Sequence, residues 1–127
     1  MGLIAALLGC SSSGTGDGQP TGPSAADGLA NLKDLYSQAA KGEVAIPGSL
    51  AEFSALEPFY PVAGPFVLGR QIECDWGAGL KPGPEAGRHR LAYEKNAGDH
   101  GGFVLFQDGT IRKVTADEFK SIPKAVP

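Results

Sequence analysis

Long apolar runs, clusters of one charge and paired cysteines are all missing from these 127 residues. The apolar stretch Leu3-Ile4-Ala5-Ala6-Leu7-Leu8 falls far short of the roughly 20 residues that a membrane-spanning helix needs. Eleven Lys and Arg face 14 Asp and Glu, for a formal charge of −3, and no extended polybasic or polyacidic patch dominates. Phosphate binding requires such a patch, so no nucleic-acid partner is expected. Cys10 and Cys74 are the only cysteines, and Cys10 sits in a leader-like context that makes them a poor disulfide pair. There are two histidines, His89 and His100. No pair of these residues has the spacing of a CxxC or HExxH motif, so neither a metal nor another cofactor is expected. Gly98, Gly101 and Gly102 do not follow a strand and open a helix, which excludes a phosphate-cradling loop.

Glycine (19) and proline (10) are plentiful, in the N-terminal part and in turns. The length suits one domain. About a hundred residues remain after the first two dozen, enough for a modest core burying somewhat over ~60 % of the chain's surface. Residues 11–26 are Ser, Gly, Thr, Pro, Ala, Gln and Asp without apolar periodicity, and such a segment cannot offset its own ordering entropy. As a flexible coil it reaches on the order of 20–25 Å. The chain therefore divides into a leader remnant (1–9), Cys10 with a linker (10–26), and a single small domain (27–127).

Leu7-Leu8-Gly9-Cys10 resembles the bacterial lipobox. In lipoproteins of that family the cysteine thiol takes a lipid, the chain is cut before the cysteine, and the new amino terminus is acylated with a fatty acid such as palmitate. The resemblance implies a lipid on Cys10, membrane attachment through it, and a place in the cell envelope facing the periplasm or the exterior. Met1-Gly2 supplies no charged n-region, from which a start of translation further upstream is expected. Myristoylation at Gly2 does not fit, because Ala6 stands where that motif wants Ser or Thr.

Within the domain, Ser24 or Asp27 caps a helix running to about Lys41, with Leu29, Leu32, Leu35, Tyr36 and Ala39 on one face and Gly42 as its stop. Ser49-Leu-Ala-Glu52 reads as a capping box opening a short helix through Phe53 and Leu56. Pro58, Pro61 and Pro65 argue against regular structure over most of the next segment. Phe66–Leu68, Gln71–Cys74 and His89–Glu94 read as strands. Asp108-Gly109, between two β-prone runs, signals a two-residue hairpin in which Phe106 faces Ile111, Val104 faces Lys113, Phe103 faces Val114 and Leu105 faces Arg112. The first of these strands is apolar on both faces and should be central; the second carries charge, as an edge strand does. Thr115-Ala-Asp-Glu118 is a further capping box, with Phe119 and Ile122 turned inward. The fold class is α+β: one N-terminal helix packed on a small antiparallel sheet, with a C-terminal Asp-Gly hairpin and short helices.

Leu32-x-x-Leu35-Tyr36, Gly42 and Ile46-Pro47-x-Ser49-Leu50-x-x-Phe53 together resemble the soluble head of type IV pilins and type II secretion pseudopilins. Gly101-Gly102-Phe-Val-Leu-Phe-Gln-Asp108-Gly109 is similar to the C-terminal hairpin of planctomycete prepilin-like exported proteins, with His100 ahead of it. The resemblance implies a pseudopilin-like head. Pilins polymerise through a long apolar N-terminal helix; a lipobox and a polar linker stand there instead, so a filament subunit is not expected. Fold alone does not carry function.

Residues with chemistry to offer are few. Cys74 could act as nucleophile with His100 as base, yet Glu73 and Asp75 beside it should raise its pKa, which favours a buried, inert thiol. Glu94 and Asp99 have no feature fixing their separation, as paired carboxylates would need. Arg88-His89-Arg90 reads either as an anion patch or as a solvated strand start. Trp76 reads either as a recognition aromatic or as a plug over the helix. The leading expectation is a non-enzymatic, envelope-anchored binding or structural module. Its envelope partner would meet the loop from Trp76 to Arg88 or the hairpin edge from Thr110 to Thr115, with Trp76, Arg88, Arg90 and Arg112 as the candidate residues. The alternative is a small envelope enzyme using Cys74 or His100.

Overall fold

The computed structural model describes residues 22–127. Cys10, the leader remnant and most of the linker lie outside the described residues. Helix α1 (Ala25–Ala40) opens on a capping box: Ser24 Oγ accepts from Asp27 N, and Asp27 Oδ2 accepts from Ser24 N. It begins two residues before the expected domain boundary. It ends in a Schellman turn, with Glu43 N–H on Gln38 O and Gly42 N–H on Ala39 O. Leu29, Leu32, Leu35 and Tyr36 are buried along one face. Each large side chain so buried contributes about 1.5–3 kcal/mol. Helix propensity differs by only a few tenths of a kcal/mol per residue, so packing is what holds α1. Gly28 lets the helix approach its neighbours: a Cβ there would lie 2.8 Å from the Phe66 ring and 3.0 Å from Ile72 Cδ1.

Helix α2 (Leu50–Leu56) is capped by Ser49 Oγ on Glu52 N, but the return arm differs from a capping box. Glu52 Oε1 accepts from Gly48 N, one residue further back. The proline-rich segment is more regular than its composition suggests. A 3₁₀ turn covers Glu57–Phe59, and helix α3 (Ala63–Leu68) occupies the stretch expected to be strand at Phe66–Leu68. Pro65 fits because it stands in the first turn, where a helix N–H has no intrahelical partner. Asn31 Oδ1 of α1 accepts from Val62 N and Ala63 N, which closes the start of α3.

Strands β1 (Ile72–Cys74), β2 (Arg90–Glu94), β3 (Gly102–Phe106) and β4 (Ile111–Val114) form one antiparallel sheet in the order β1-β2-β3-β4. A 3₁₀ turn at Pro84–Arg88 and the short helix α4 (Ala97–His100) lie between strands; neither was expected from the sequence. Helix α5 (Ala116–Lys120) opens on the expected box of Thr115 and Glu118.

The hairpin register differs by one residue from expectation. Leu105 pairs with Ile111, Val104 with Arg112, Phe103 with Lys113 and Gly102 with Val114. A two-residue turn of the favoured type needs positive φ at both central residues. Only Gly109 has it (φ 93°), while Asp108 does not. Gly109 N–H closes on Phe106 O and Phe106 N–H on Thr110 O, giving a three-residue loop with a glycine bulge. Asp108 Oδ1 accepts from Thr110 Oγ1 at 2.7 Å and Thr110 N at 3.0 Å, bonds that hold its carboxyl below the usual carboxylate range. The shift matters because a one-residue slip reverses every side chain of a strand. In the observed register Val114 is buried and Arg112 lies over the Phe106 ring, 4.4 Å from its centroid.

Both faces of the sheet are covered. Ile72, Cys74, Leu91, Ala92 and Leu105 join the α1, α2 and α3 side chains in one cluster. Val104, Phe106 and Val114 join Ala97 of α4 and Phe119 of α5 in a second. This explains why β3 is apolar on both sides. A bulge between Arg90 and Ala92 sets two β2 residues against Leu105. Residues three apart on a regular strand point to opposite faces. The bulge restores Arg90 and Tyr93 to the same one.

Candidate functional site

Cys74 lies on the α1 side of the sheet, buried, with its thiol hydrogen-bonded to Tyr36. Burial pushes the thiol up to about 12; the Tyr36 hydrogen bond pulls it down, and the Asp75 and Glu73 charges add to the rise. Tyr36 is raised as well, chiefly by burial. His100 is exposed at the end of α4, which packs with α5 on the other side of the sheet. The fold does not bring Cys74 and His100 together. At neutral pH the thiol is neutral, with about a thousandfold less thiolate than at its ordinary value of 9.0.

Alkylation of Cys74 by iodoacetamide at pH 7.5 is therefore expected only at the rate at which the domain opens. Because the folded value is raised, the stability tied to the neutral thiol is intact below about 9.0 and lost as the pH climbs toward about 12. Labelling should accelerate over that window together with unfolding. Rapid alkylation of the folded protein at neutral pH would show the thiol to be accessible and activated.

The carboxylates are also committed or apart. Glu94 Oε2 accepts from Phe103 N at 2.6 Å and so ties β2 to β3, while Asp99 is exposed on α4. A polar depression of about 360 Å³ is lined by Gln71, Glu94, Lys95, Asn96 and Gly101. Among the described residues, no group of three or more His, Cys, Asp and Glu is placed to hold a metal ion.

The four candidate partner residues are scattered. Arg88 is exposed and pairs with Glu85 at 3.3 Å on the surface. Arg90 is turned inward: its side chain is 15 % exposed, Nε lies 3.2 Å from Asp75 Oδ2, and the guanidinium sits 4.8 Å from the Tyr93 ring centroid and 5.1 Å from that of Phe119. Trp76 is half-buried with its ring 6.1 Å from that of Phe53, so it plugs the edge of α2. Arg112 lies across Phe106, and the hairpin edge at Thr110–Thr115 is largely exposed.

No protein-family model, curated protein or solved structure matches this chain. No helix among the described residues is long and apolar enough to cross a membrane.

One surface escaped sequence reasoning. Val44, Ile46, Leu56 and Phe59 line two adjoining depressions that share Leu56, of about 280 Å³ and 390 Å³. Phe59 is 75 % exposed, the most exposed large apolar side chain among the described residues. The 3₁₀ turn presents it, while its neighbour Tyr60 is buried and donates its hydroxyl proton to Gln38 of α1. Burial raises the Tyr60 phenol, and the nearby charges of Asp34 and Glu43 raise it further. The available signal was compositional: from Gly42 to Gly69 the chain has Glu43, Glu52 and Glu57 but no lysine or arginine.

Proposed function

We propose that this chain is a bacterial exported lipoprotein, held to a membrane of the cell envelope by a lipid on Cys10, with a non-enzymatic binding or structural head. The observation that carries this reading is Leu7-Leu8-Gly9-Cys10 followed by a polar Ser/Gly/Thr stretch. The Ser24 capping box opens the first helix of the described residues, close to where the expected linker ends. The pseudopilin-like character of the head is part of the proposal; what supports it is α1 ending past Tyr36 in a turn at Gly42 and leading through Pro47 into the short helix α2, with a hairpin at Asp108-Gly109. The non-enzymatic reading is supported by the burial of Cys74 away from His100 and by the commitment of Glu94 to a backbone N–H. No observation favours the alternative of an enzyme built on Cys74 or His100.

Expression of the full reading frame in a bacterial host fed an alkyne-tagged fatty acid tests the anchor. The mature protein should carry the tag and begin at Cys10 by mass spectrometry. Cys10→Ser should lose the tag and leave the membrane fraction. An unmodified Cys10 thiol in the mature wild-type protein would refute the anchor.

A further inference from the structure

Phe59 and Ile46 stand exposed on this surface while Leu56 and Tyr60 behind them pack into the core, and the surface does not belong to those expected from the sequence. We infer that it docks a basic amphipathic segment of a partner protein, whose two apolar side chains fill the depressions on either side of Leu56 while its lysines or arginines face Asp34, Glu43 and Glu52. This rests on the reading of the domain as a binding module and names the chemistry of its partner.

Exposed apolar residues are ordinary when single. Here Phe59 stands beside two depressions with chiefly apolar linings, and Ile46 is exposed in the neighbouring one. Two adjoining apolar depressions match a segment offering two anchors at helical spacing, the helix-in-groove mode of recognition. The charge around them selects the occupant. Glu52 lines the first depression. Glu43 adjoins Val44 of the second, and Asp34 lies one turn before Gln38 on α1. Asp34 and Glu43 both act on Tyr60, in the wall of that depression. Lys33 adjoins Asp34 in sequence but reaches toward Gly109 of the hairpin, where a Cβ would lie 3.4 Å from its Cε, and Lys41 is two residues from Glu43. An acidic rim repels a second copy meeting it face to face, and it repels an anionic lipid surface. It attracts a cationic segment and speeds the encounter, with an affinity that falls as salt rises.

Random peptides of about 16 residues, displayed on phage, can be panned on the full chain with the Phe59→Ser variant as counter-selection. The expected consensus carries two large apolar residues, at least one Lys or Arg, and no Asp or Glu. A synthetic peptide of that consensus should bind at least about tenfold more weakly to Phe59→Ser, and likewise to Asp34→Lys combined with Glu43→Lys. All these positions are exposed, and an unchanged far-UV circular dichroism spectrum identifies variants that keep the fold. Enrichment of acidic or uncharged sequences, or equal binding to wild type and Phe59→Ser, would overturn the inference. So would a concentration-dependent dimer abolished by Phe59→Ser, which would make a second copy the occupant. Phe59-dependent binding to phosphatidylcholine vesicles would overturn it in favour of a lipid surface. The state of Cys10 is read separately by mass, so failure of the anchor and failure of this docking surface give different results.

Discussion

Asp75→Ala is expected to destabilise the domain by about 3 kcal/mol, read as a fall in the urea midpoint at unchanged slope. Asp75 and Arg90 form an ion pair whose side chains are 13 % and 15 % exposed. Removing the acid leaves a guanidinium with little water and no counter-charge, and breaking such a pair costs about 3–5 kcal/mol. The lower end applies because Tyr93 and Phe119 still offer Arg90 two aromatic faces, each of which recovers a fraction of that. The double replacement Asp75→Leu with Arg90→Met should cost markedly less than Asp75→Ala alone, since no charge is then left behind. A loss below 1 kcal/mol for Asp75→Ala would mean that Arg90 swings out to solvent, and would return it to the set of surface residues open to a partner.

Gln107→Leu should cost about 2–3 kcal/mol and release the C-terminal segment. Gln107 is the single buried polar side chain of the described core. Its Nε2 donates to Gly79 O at 2.9 Å and Val126 O at 2.6 Å, and its Oε1 accepts from Val126 N at 3.1 Å. It therefore ties the loop after Trp76 and the tail to the end of β3. The tail has two further holds, Arg90 N on Pro123 O and the His89 ring Nδ1–H on Lys124 O, both at 2.9 Å. Leucine fills similar space but leaves the Gly79 and Val126 backbone groups without their partner. Hydrogen exchange should show protection lost first at Val126, with α1 and β3 little changed. Uniform loss of protection would instead make the tail part of the cooperative core.

Much of the fold was legible because local and global signals agreed. Ser24, Gly42 and Thr115 mark helix ends by side-chain and backbone chemistry, and the apolar face of α1 repeats at the helical period. The misses have local causes. Phe66-Val67-Leu68 is too short for its period to separate strand from helix; as helix it buries Val67 and sets Phe66 against Gly28 of α1, while Leu68 stays exposed. The Asp108-Gly109 pair signals a hairpin but not its loop length, which turned on whether Asp108 took positive φ. Arg90 read as surface because basic residues usually are. Its counter-charge, Asp75, is fifteen residues away and on another strand's end, a pairing that only the sheet creates. The Phe59 surface was illegible for a related reason. Its residues are separate in sequence, and nothing local tells Phe59, which is exposed, from Phe53, which is buried.

Helix α1 also has a mechanical consequence. Its 16 residues rise about 24 Å from the chain's entry at Ser24 to the Gln38 end. The Phe59 surface is fastened at that far end through Tyr60 and Gln38. A pull between whatever lies upstream of Ser24 and a partner seated at Phe59 is therefore carried lengthwise by α1. The sheet lies outside that path, so the pull does not peel its strands apart one hydrogen bond at a time.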